Sequence, residues 1–447
     1  IYEIREIIRK KLSHIWEGFE VPFISLPKTI NINQVADIFE GINSTGIKLS
    51  VFDLLTARLY KYDINLKELW DSSREDYDII EKYSREIEKI PIYILQAISL
   101  LYGNSSCKRK DILDLYKTAY VKSDRSFEDD WNDISEYMKL ALEKLQNTKD
   151  GFGVKDEKEV PFAPMIPVLT ALLKLISTQD NKAECYKKLD KWYWSSVFTT
   201  SYSSSADTQM TTDFKELREW FNDDSALPKS VNNIRKEIST LSFRDIQSKS
   251  SAKYRGIMSL VALEGAKDFD TSQTLENARN NDKDHIFPQA FKFGFGSHKF
   301  VNSILNMTWM SEETNRKIKR YKTPSIYVKE FISQKYNNDD NRFIDILKTH
   351  LITKRAYDAL IADGFEDFLN EREETILSKI KNHLEINENE KEHTLISPEN
   401  PFTNKRIFWN AIKSCEGHIH WVDKYFSKAG FELLNDSLNY NRIKEIK

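Results

Sequence analysis

An aspartate directly beside a histidine, Asp284-His285, stands in the segment NDKDHIFP. The β-favouring residues and the proline, which blocks a helix, predict an extended segment or a strand end here. Hydrolysis of a phosphodiester needs a base that activates water and a cation that neutralises charge on the phosphate. Asp284 can ligate the cation, and His285 can take the proton. A histidine after an aspartate is also a common structural hydrogen-bonding residue, so the catalytic assignment of His285 depends on the other residues of the motif.

Two asparagines follow this pair. Asn306 lies 21 residues after His285 (306 − 285), in the strand-compatible segment NSILNMTWMS, and its amide can fix the imidazole tautomer. Asn315 lies 9 residues further on (315 − 306), at the start of a predicted helix, where its side-chain oxygen can complete a metal site. The predicted order is strand, loop, strand, helix. Oxygen and nitrogen donors with few protein ligands suit Mg²⁺ or Mn²⁺ better than structural zinc. Three polar residues nearby are given no role: Asn281, His298 and Asn302.

A cluster of basic residues comes directly after the second asparagine. Five of them fall within seven positions: Arg316, Lys317, Lys319, Arg320 and Lys322. Such a cluster can hold the backbone of DNA through its phosphates. The alternative is a solvated helix face that binds nothing. The position of the cluster beside the predicted metal site favours DNA binding.

The segments KDHIFPQ and LNMTWMSEETNRKIKR together resemble the HNH-type nuclease domain of the GmrSD type IV restriction family. The resemblance covers about residues 250–382 and includes FLNEREETILSKI, which is similar to the family's closing helix. It implies that Asp284 and Asn315 bind the metal and that His285 and Asn306 are catalytic. It also implies a DNA endonuclease of a modification-dependent restriction or phage-defence system, with DNA, including modified DNA, as partner.

The segment FEGINSTGIKLSVFDLLTARLY is similar to the second conserved block of the nucleotide-dependent, ParB-like domain that accompanies the nuclease in that family. Phe39 and Asn43 are the matching residues, and they imply a nucleoside triphosphate as regulator. The family's earlier Asp-Gly-Gln-Gln-Arg block does not occur in the chain, and helix capping is the alternative role for Asn43. Ser50 and Asp53 have the spacing of a capping box, which predicts the start of a helix.

The C-terminal stretch GHIHWVDKYFSKAGFELLNDSLNYNRIKEIK predicts a strand, a helix and the beginning of another strand, and is similar to the start of phospholipase-D-like domains. The matching feature is the segment 423–425 after a β-like run, and no His-x-Lys catalytic pair follows it. His418 and His420 occupy alternate positions of the predicted strand. We interpret them as one solvated face rather than as metal ligands.

The length of 447 residues is too great for one hydrophobic core and predicts several domains. We expect a fold that is mainly α, with a small ββα-metal motif inserted among helices and a short α/β segment at the C-terminus. The expected segments are a C-terminal part of the ParB-like domain at 1–60, a helical domain at 61–245, the HNH-type nuclease domain at 246–385, and a linker with the start of a phospholipase-D-like domain at 386–447.

For three segments of the helical region the sequence predicts structure but no function. Residues 150–159 are polar and contain GFG, which predicts a surface loop. The next segment, PFAPMIPVLTALLKLI, is apolar on nearly every face and predicts a buried helix. The aromatic segment WYWSSVFTTSY, residues 192–202, is predicted to contribute to the core, because aromatic side chains are usually buried.

Composition limits the class of protein. With 40% hydrophobic and 30% charged residues, 13 Gly and 11 Pro, the chain is typical of helix-rich globular proteins. No apolar run approaches the roughly 20 residues that span a bilayer, and no leader is recognised, so a cytoplasmic location without membrane contact is expected. Three distant cysteines predict reduced thiols. A net charge of −3 means that DNA contacts must come from local basic patches.

The alternative function is that of a different class of protein: a helical DNA-binding or nucleotide-sensing module whose nuclease centre is inactive. Nicking of supercoiled plasmid with Mg²⁺ or Mn²⁺ that is lost in His285→Ala distinguishes the enzyme from this module. The sequence leaves the oligomeric state open, with a homo-oligomer as one option. Because the chain starts at Ile1 within a predicted helix, we also expect it to be an interior piece of a longer protein.

Overall fold

The structure is a computed structural model. It describes residues 2–18, 50–103, 126–275, 281–291, 298–321, 323–386, 417–419 and 443–446, with single residues at 25, 27, 30, 38, 107, 112 and 120. The chain divides into two compact units, residues 1–66 and residues 67–447. The domain limits expected from the sequence within these units stay predictions.

The described residues are mainly α-helical, as the sequence predicts. They form sixteen helices, numbered α1 to α16 in chain order: Tyr2–Gly18, Val51–Leu59, Leu66–Asp76, Asp78–Ser84, Ile90–Leu101, Phe127–Gln146, Met165–Ser177, Lys182–Phe198, Ala206–Asn222, Lys229–Glu237, Ala252–Leu263, Glu312–Tyr321, Pro324–Lys335, Asp340–Lys348, Lys354–Ile361 and Phe365–Leu384. They also form four strands, β1 to β4: Asn281–His285, Met307–Ser311, Gly417–Ile419 and Ile443–Ile446. Short 3₁₀ helices occur at Tyr60–Tyr62, Glu157–Glu159 and Ile304–Asn306.

In the first unit, helix α2 begins at the predicted capping box. The Ser50 hydroxyl accepts a hydrogen bond from the Asp53 backbone N–H at 3.1 Å, and the Asp53 carboxylate accepts one from the Ser50 N–H at 2.9 Å. These two bonds satisfy N–H groups that the helix itself cannot pair. Phe39 and Asn43, the predicted nucleotide-binding residues, lie outside the described residues. Their role stays a prediction.

The core of the second unit is built around helix α7, the predicted buried helix. It contacts α5, α6, α8 and α9, and nearly all of its residues are buried. The aromatic segment that follows forms much of α8, and Trp192 and Trp194 are buried there. Both predictions are confirmed. Helix α8 in turn packs against α10, α11 and α16, so the N-terminal helices and the C-terminal helix of this unit share one core.

The prediction of a surface loop at residues 150–159 is wrong in part. Phe152 and Val154 are fully buried, and the Phe152 ring stacks on Tyr193 with 3.6 Å between ring centroids. The Phe152 N–H donates to the carbonyl of Lys144 at 2.8 Å, so the buried backbone keeps a hydrogen-bond partner. Two apolar side chains in a polar stretch are therefore enough to draw the segment inward.

Strands β1 and β2 form an antiparallel pair, in which Asp284 is opposite Thr308 and His285 is opposite Met307. Helix α12 begins directly after β2 and packs against both strands, while α11 packs against β2. The predicted order of strand, loop, strand and helix is therefore confirmed. This arrangement brings the end of β1 and the first turn of α12 together, although 31 residues separate Asp284 from Asn315 (315 − 284).

The last helix of this region, α16, supports the strand pair through a buried arginine. Arg372 is fully buried and donates to the carbonyl oxygens of Leu305 at 2.7 Å, Met307 at 2.8 Å and His350 at 3.2 Å. Burial lowers the pKa of Arg372 to about 9, so the guanidinium is still charged at neutral pH. Its hydrogen bonds satisfy buried carbonyl groups of the 3₁₀ helix before β2, of the first residue of β2 and of the turn at His350.

At the C-terminus, β3 and β4 pair in parallel, which agrees with the strands predicted there. The side chain of His418, the whole of His420 and the segment 423–425 lie outside the described residues. Among the helices that the structure describes, none combines the length and the apolar character needed to cross a membrane.

Candidate active site

The Asp284-His285 pair lies at the end of β1, with the side chains only 15% and 12% exposed. Neighbouring residues in a strand normally point to opposite faces, but here the strand ends at His285 and the two side chains meet. The Asp284 Oδ1 atom accepts the backbone N–H of His285 at 2.8 Å and lies 2.8 Å from the ring Nδ1 of His285. The carboxylate and the imidazole therefore form one unit with an open edge.

Asn315 completes this unit from the first turn of α12. It is 5% exposed, and its amide Nδ2 donates a hydrogen bond to Asp284 Oδ2. The structure thus brings together Asp284, His285 and Asn315, three of the four residues for which the sequence predicted a shared centre.

Asn306 lies in the 3₁₀ helix before β2 and is fully buried. Its Oδ1 accepts the backbone N–H of Phe287 at 2.8 Å, and its Nδ2 donates to the carbonyls of Phe287 at 2.9 Å and Val301 at 2.8 Å. Both amide hydrogens and the amide oxygen are therefore engaged with backbone. The expectation that this amide contacts the imidazole is wrong. Asn306 instead fixes the chain that leaves β1 just after His285.

The side chain that does contact the imidazole is Asn302, to which the sequence analysis gave no role. Its Oδ1 lies 2.9 Å from the ring Nε2 of His285. Gln289, from the segment KDHIFPQ, donates its amide to the same Asn302 oxygen at 3.0 Å. No spacing rule marks either residue, because only the pairing of β1 with β2 brings the loop between them back to the histidine.

The direction of α12, and with it the place of Asn315, is set by the buried carboxylate of Asp268. It accepts the Ser311 N–H at 2.9 Å, at the start of the helix, and the Thr314 hydroxyl at 2.7 Å. Burial alone would raise the pKa of Asp268, but the hydrogen bonds from Thr314 and Ser311 outweigh it and lower the pKa. Negative charge at a helix N-terminus is also favourable to the helix dipole. The sequence offered no sign of this residue.

Two members of the predicted DNA-binding cluster have acidic partners. Arg316 pairs with Glu312, one turn earlier on the exposed side of α12. Lys317 lies 2.6 Å from Asp270 and 3.1 Å from Glu313, and its hydrogen bond to Asp270 raises its pKa. The side chains of three further members lie outside the described residues: Lys319, Arg320 and Lys322. The role of the cluster in DNA binding stays a prediction.

A lysine that the sequence analysis did not single out lies beside the centre. The Lys249 Nζ atom is 3.4 Å from the carbonyl oxygen of Lys283, against the peptide bond that precedes Asp284. Lys249 is exposed, and within the described part of the chain no ion pair joins it to an acidic side chain. Its charge is therefore available to a phosphate at the centre.

The donor atoms at the centre fit a hard divalent ion. Asp284 offers carboxylate oxygens, and its partial exposure leaves room for water ligands. Asn315 turns its amide nitrogen toward Asp284. Across the described residues, no group of three or more His, Cys, Asp or Glu side chains could hold a metal ion.

A second histidine, His350, lies in the core behind β2. Its Nδ1 is 2.6 Å from the Thr308 hydroxyl, and its Nε2 is 2.6 Å from the carbonyl oxygen of Lys267. Burial lowers the pKa of His350 to about 3, an effect that the nearby Arg372 strengthens and Asp268 opposes. The neutral ring can donate from Nε2 to the carbonyl and accept from the hydroxyl at Nδ1, so we interpret His350 as a structural residue.

His350 predicts a loss of stability in acid. An unfolded histidine has a pKa near 6.5, whereas burial lowers the pKa of folded His350 to about 3. Between these two pH values the unfolded chain binds a proton at this residue and the folded chain does not. The contribution of neutral His350 to the free energy of unfolding is fully present above pH ~6.5 and falls by about 1.4 kcal/mol per pH unit below it. Between pH 7 and pH 5, urea unfolding should show a loss of about 2 kcal/mol that is absent in His350→Gln. Equal losses in parent and variant would contradict this, and His298→Gln serves as the control.

The comparisons with known proteins identify a relative but no activity. No family model matches the chain. An uncharacterized protein of Methanocaldococcus jannaschii is 33% identical over 386 residues, which cover 81% of this chain and 64% of the relative. The chain therefore spans a little under two thirds of that relative's length. By fold and site, it is a mainly α-helical protein with a candidate centre built on two strands and a helix.

Proposed function

We propose that the protein is a metal-dependent endonuclease of the HNH type that hydrolyses phosphodiester bonds of DNA. The observation that carries the proposal is the meeting of Asp284, His285 and Asn315 at the end of β1 and the first turn of α12. A carboxylate and an imidazole at one partly exposed point, with an amide side chain beside them, are groups that metal-assisted hydrolysis uses.

Each residue then has a distinct task. Asp284 and Asn315 would hold Mg²⁺ or Mn²⁺, which would neutralise charge on the phosphate. His285 accepts the proton of the attacking water, since its ring lies beside the ligand carboxylate, 2.8 Å from Asp284 Oδ1. Asn306 fixes the backbone after His285, and Asp268 fixes the helix that carries Asn315, so these two act as positioning residues.

The biological setting is inferred from the sequence resemblance. A restriction or phage-defence system that acts on modified DNA agrees with the motifs around Asp284 and Asn315. A nucleoside triphosphate bound through Phe39 and Asn43 would act as regulator. The test of the activity is supercoiled plasmid incubated with the protein and Mg²⁺ or Mn²⁺, with EDTA as control. Nicking that needs the ion supports the proposal, and its absence at saturating ion favours an inactive DNA-binding or nucleotide-sensing module.

The phosphate contact proposed for Lys249 has its own measurement. Each phosphate contact that is lost should lower the magnitude of the slope of log affinity against log salt by about 0.9 for duplex DNA. Lys249→Ala should therefore bind DNA with a slope smaller by about 0.9, and with a similar loss on all sequences. Lys229→Ala removes the same charge from an exposed position in α10 and should leave the slope unchanged. An unchanged slope in Lys249→Ala would exclude this lysine from the DNA path.

A further inference from the structure

A cluster of cationic side chains lies beside β1, where the strand meets the start of α11. Lys283, the residue before Asp284, places its ammonium group against two aromatic rings, 5.6 Å from the centre of Tyr254 and 5.4 Å from the centre of Trp309. The same ammonium group forms an ion pair with Glu159 and is mostly buried. This pair fixes the segment around Glu159 against β1.

Two further cations lie close to Lys283. The Lys249 Nζ atom is 3.4 Å from the Lys283 carbonyl oxygen, at the backbone end of the residue. Arg255, in the first turn of α11, donates from a terminal guanidinium nitrogen to the carbonyl of Val160 at 2.9 Å, directly after Glu159 at the other end. Within the described part of the chain, the acidic side chain that forms an ion pair in this cluster is that of Glu159.

Two charges of the cluster are left without a counter-charge. Glu159 neutralises Lys283, but among the described residues no ion pair joins Lys249 or Arg255 to an acidic side chain, and the buried Nε of Arg255 has no hydrogen-bond partner there. Like charges that are held close together repel one another, and a bound anion relieves this repulsion. Lys249 is exposed and Arg255 is partly exposed, so an anion in the solvent can approach both.

From this geometry, and relying on the proposed function, we propose that Arg255 binds a second phosphate of the DNA backbone, next to the phosphate at Lys249. The DNA would then run from Asp284 across the start of α11. A nucleic acid backbone repeats its charge along a line, as the two cations do, whereas a small anion offers one charged group. On α12, in contrast, the described Arg316 already has an acidic partner, Glu312.

The test measures DNA binding in the absence of cleavage. A short fluorescent duplex is titrated with protein in EDTA at several salt concentrations, and binding is followed by anisotropy. Arg255→Gln keeps an amide N–H for the Val160 carbonyl but removes the charge, so the slope of log affinity against log salt should fall in magnitude by about 0.9. Arg255→Lys keeps a charge and should keep the parent slope. In the double variant with Lys249→Ala, the loss should reach about 1.8, because separate phosphate contacts add.

Arg218→Gln removes the same charge from an exposed position in α9 and should leave the slope unchanged. A parent slope in Arg255→Gln, or a lowered slope in Arg255→Lys, would overturn the proposal. A lowered slope in Arg316→Gln alone would also overturn it, because the DNA would then follow α12. Inorganic phosphate that displaces the duplex from the parent better than chloride of equal ionic strength would indicate a site for free phosphate instead. The expected slopes in a protein that never nicks plasmid would count against the nuclease function alone.

Discussion

Replacement of His285 by alanine should lower the rate of DNA cleavage by about 10² to 10⁴ fold while the protein stays folded. General-base catalysis typically contributes a factor of this size, and the substitution removes the only imidazole in contact with Asp284 among the described residues. The hydrogen-bond contacts of the His285 ring are with Asp284, Asn302 and Gln289. Cleavage is measured by single-turnover nicking of supercoiled plasmid, and folding by circular dichroism.

The matched control is His298→Ala. His298 lies between β1 and β2 and pairs with Glu366 at 2.9 Å, with no contact to Asp284 among the described side chains, so the variant should cut at the parent rate. The His285→Ala protein should also keep the parent's affinity for Mn²⁺, because Asp284 and Asn315 are intact. A folded His285→Ala protein that cuts within about threefold of the parent would remove His285 from the mechanism.

Replacement of Asp284 by alanine should weaken binding of Mn²⁺ by at least about 100-fold. Residues that only support a metal ligand typically change affinity by 10 to 100-fold, and Asp284 would be the charged ligand itself. Its loss leaves the neutral amide of Asn315, which is a weak ligand alone. Titration calorimetry with Mn²⁺ measures the change, and nicking assays at high Mn²⁺ show whether activity can be restored.

A second aspartate in the same strand provides the control for this substitution. Asp282→Ala removes an exposed carboxylate two residues earlier and should leave the Mn²⁺ affinity unchanged. If Asp284→Ala binds Mn²⁺ as tightly as the parent protein does, the ion is held elsewhere and the proposed centre is wrong. Equal losses in both variants would point to a general effect of strand charge, which a rise in salt should remove.

The sequence was most informative where residues that act together carry a local pattern. The mainly α fold, the order of β1, β2 and α12, and the meeting of Asp284 with Asn315 all followed from helix and strand signals and a motif. Asn302 could not be found this way, because its contact with His285 exists only after the loop between the strands has folded. The role of Asp268 could not be predicted for the same reason, since its partners at the start of α12 are more than 40 residues away in the sequence (311 − 268 = 43).

Two predictions were wrong because local chemistry was read without its tertiary surroundings. The polar composition of residues 150–159 indicated a surface loop, but burial of Phe152 against Tyr193 outweighs the exposure of the flanking charges. The Asn306 amide had the right chemistry for the imidazole, but the backbone groups of Phe287 and Val301 occupy it. Buried backbone N–H and C=O groups need hydrogen-bond partners, and the buried Asn306 amide provides them here.

Arg372 has a consequence for the timing of synthesis. It lies 87 residues after His285 (372 − 285), yet it donates hydrogen bonds to the carbonyls of Leu305 and Met307, where β2 begins. While the ribosome has not yet released α16, these carbonyls have no guanidinium, and the strand pair lacks its support. A nascent chain that already contains Asp284, His285 and Asn315 therefore lacks these hydrogen bonds. Under the proposed function, the cleavage centre would gain this support only after α16 has left the ribosome.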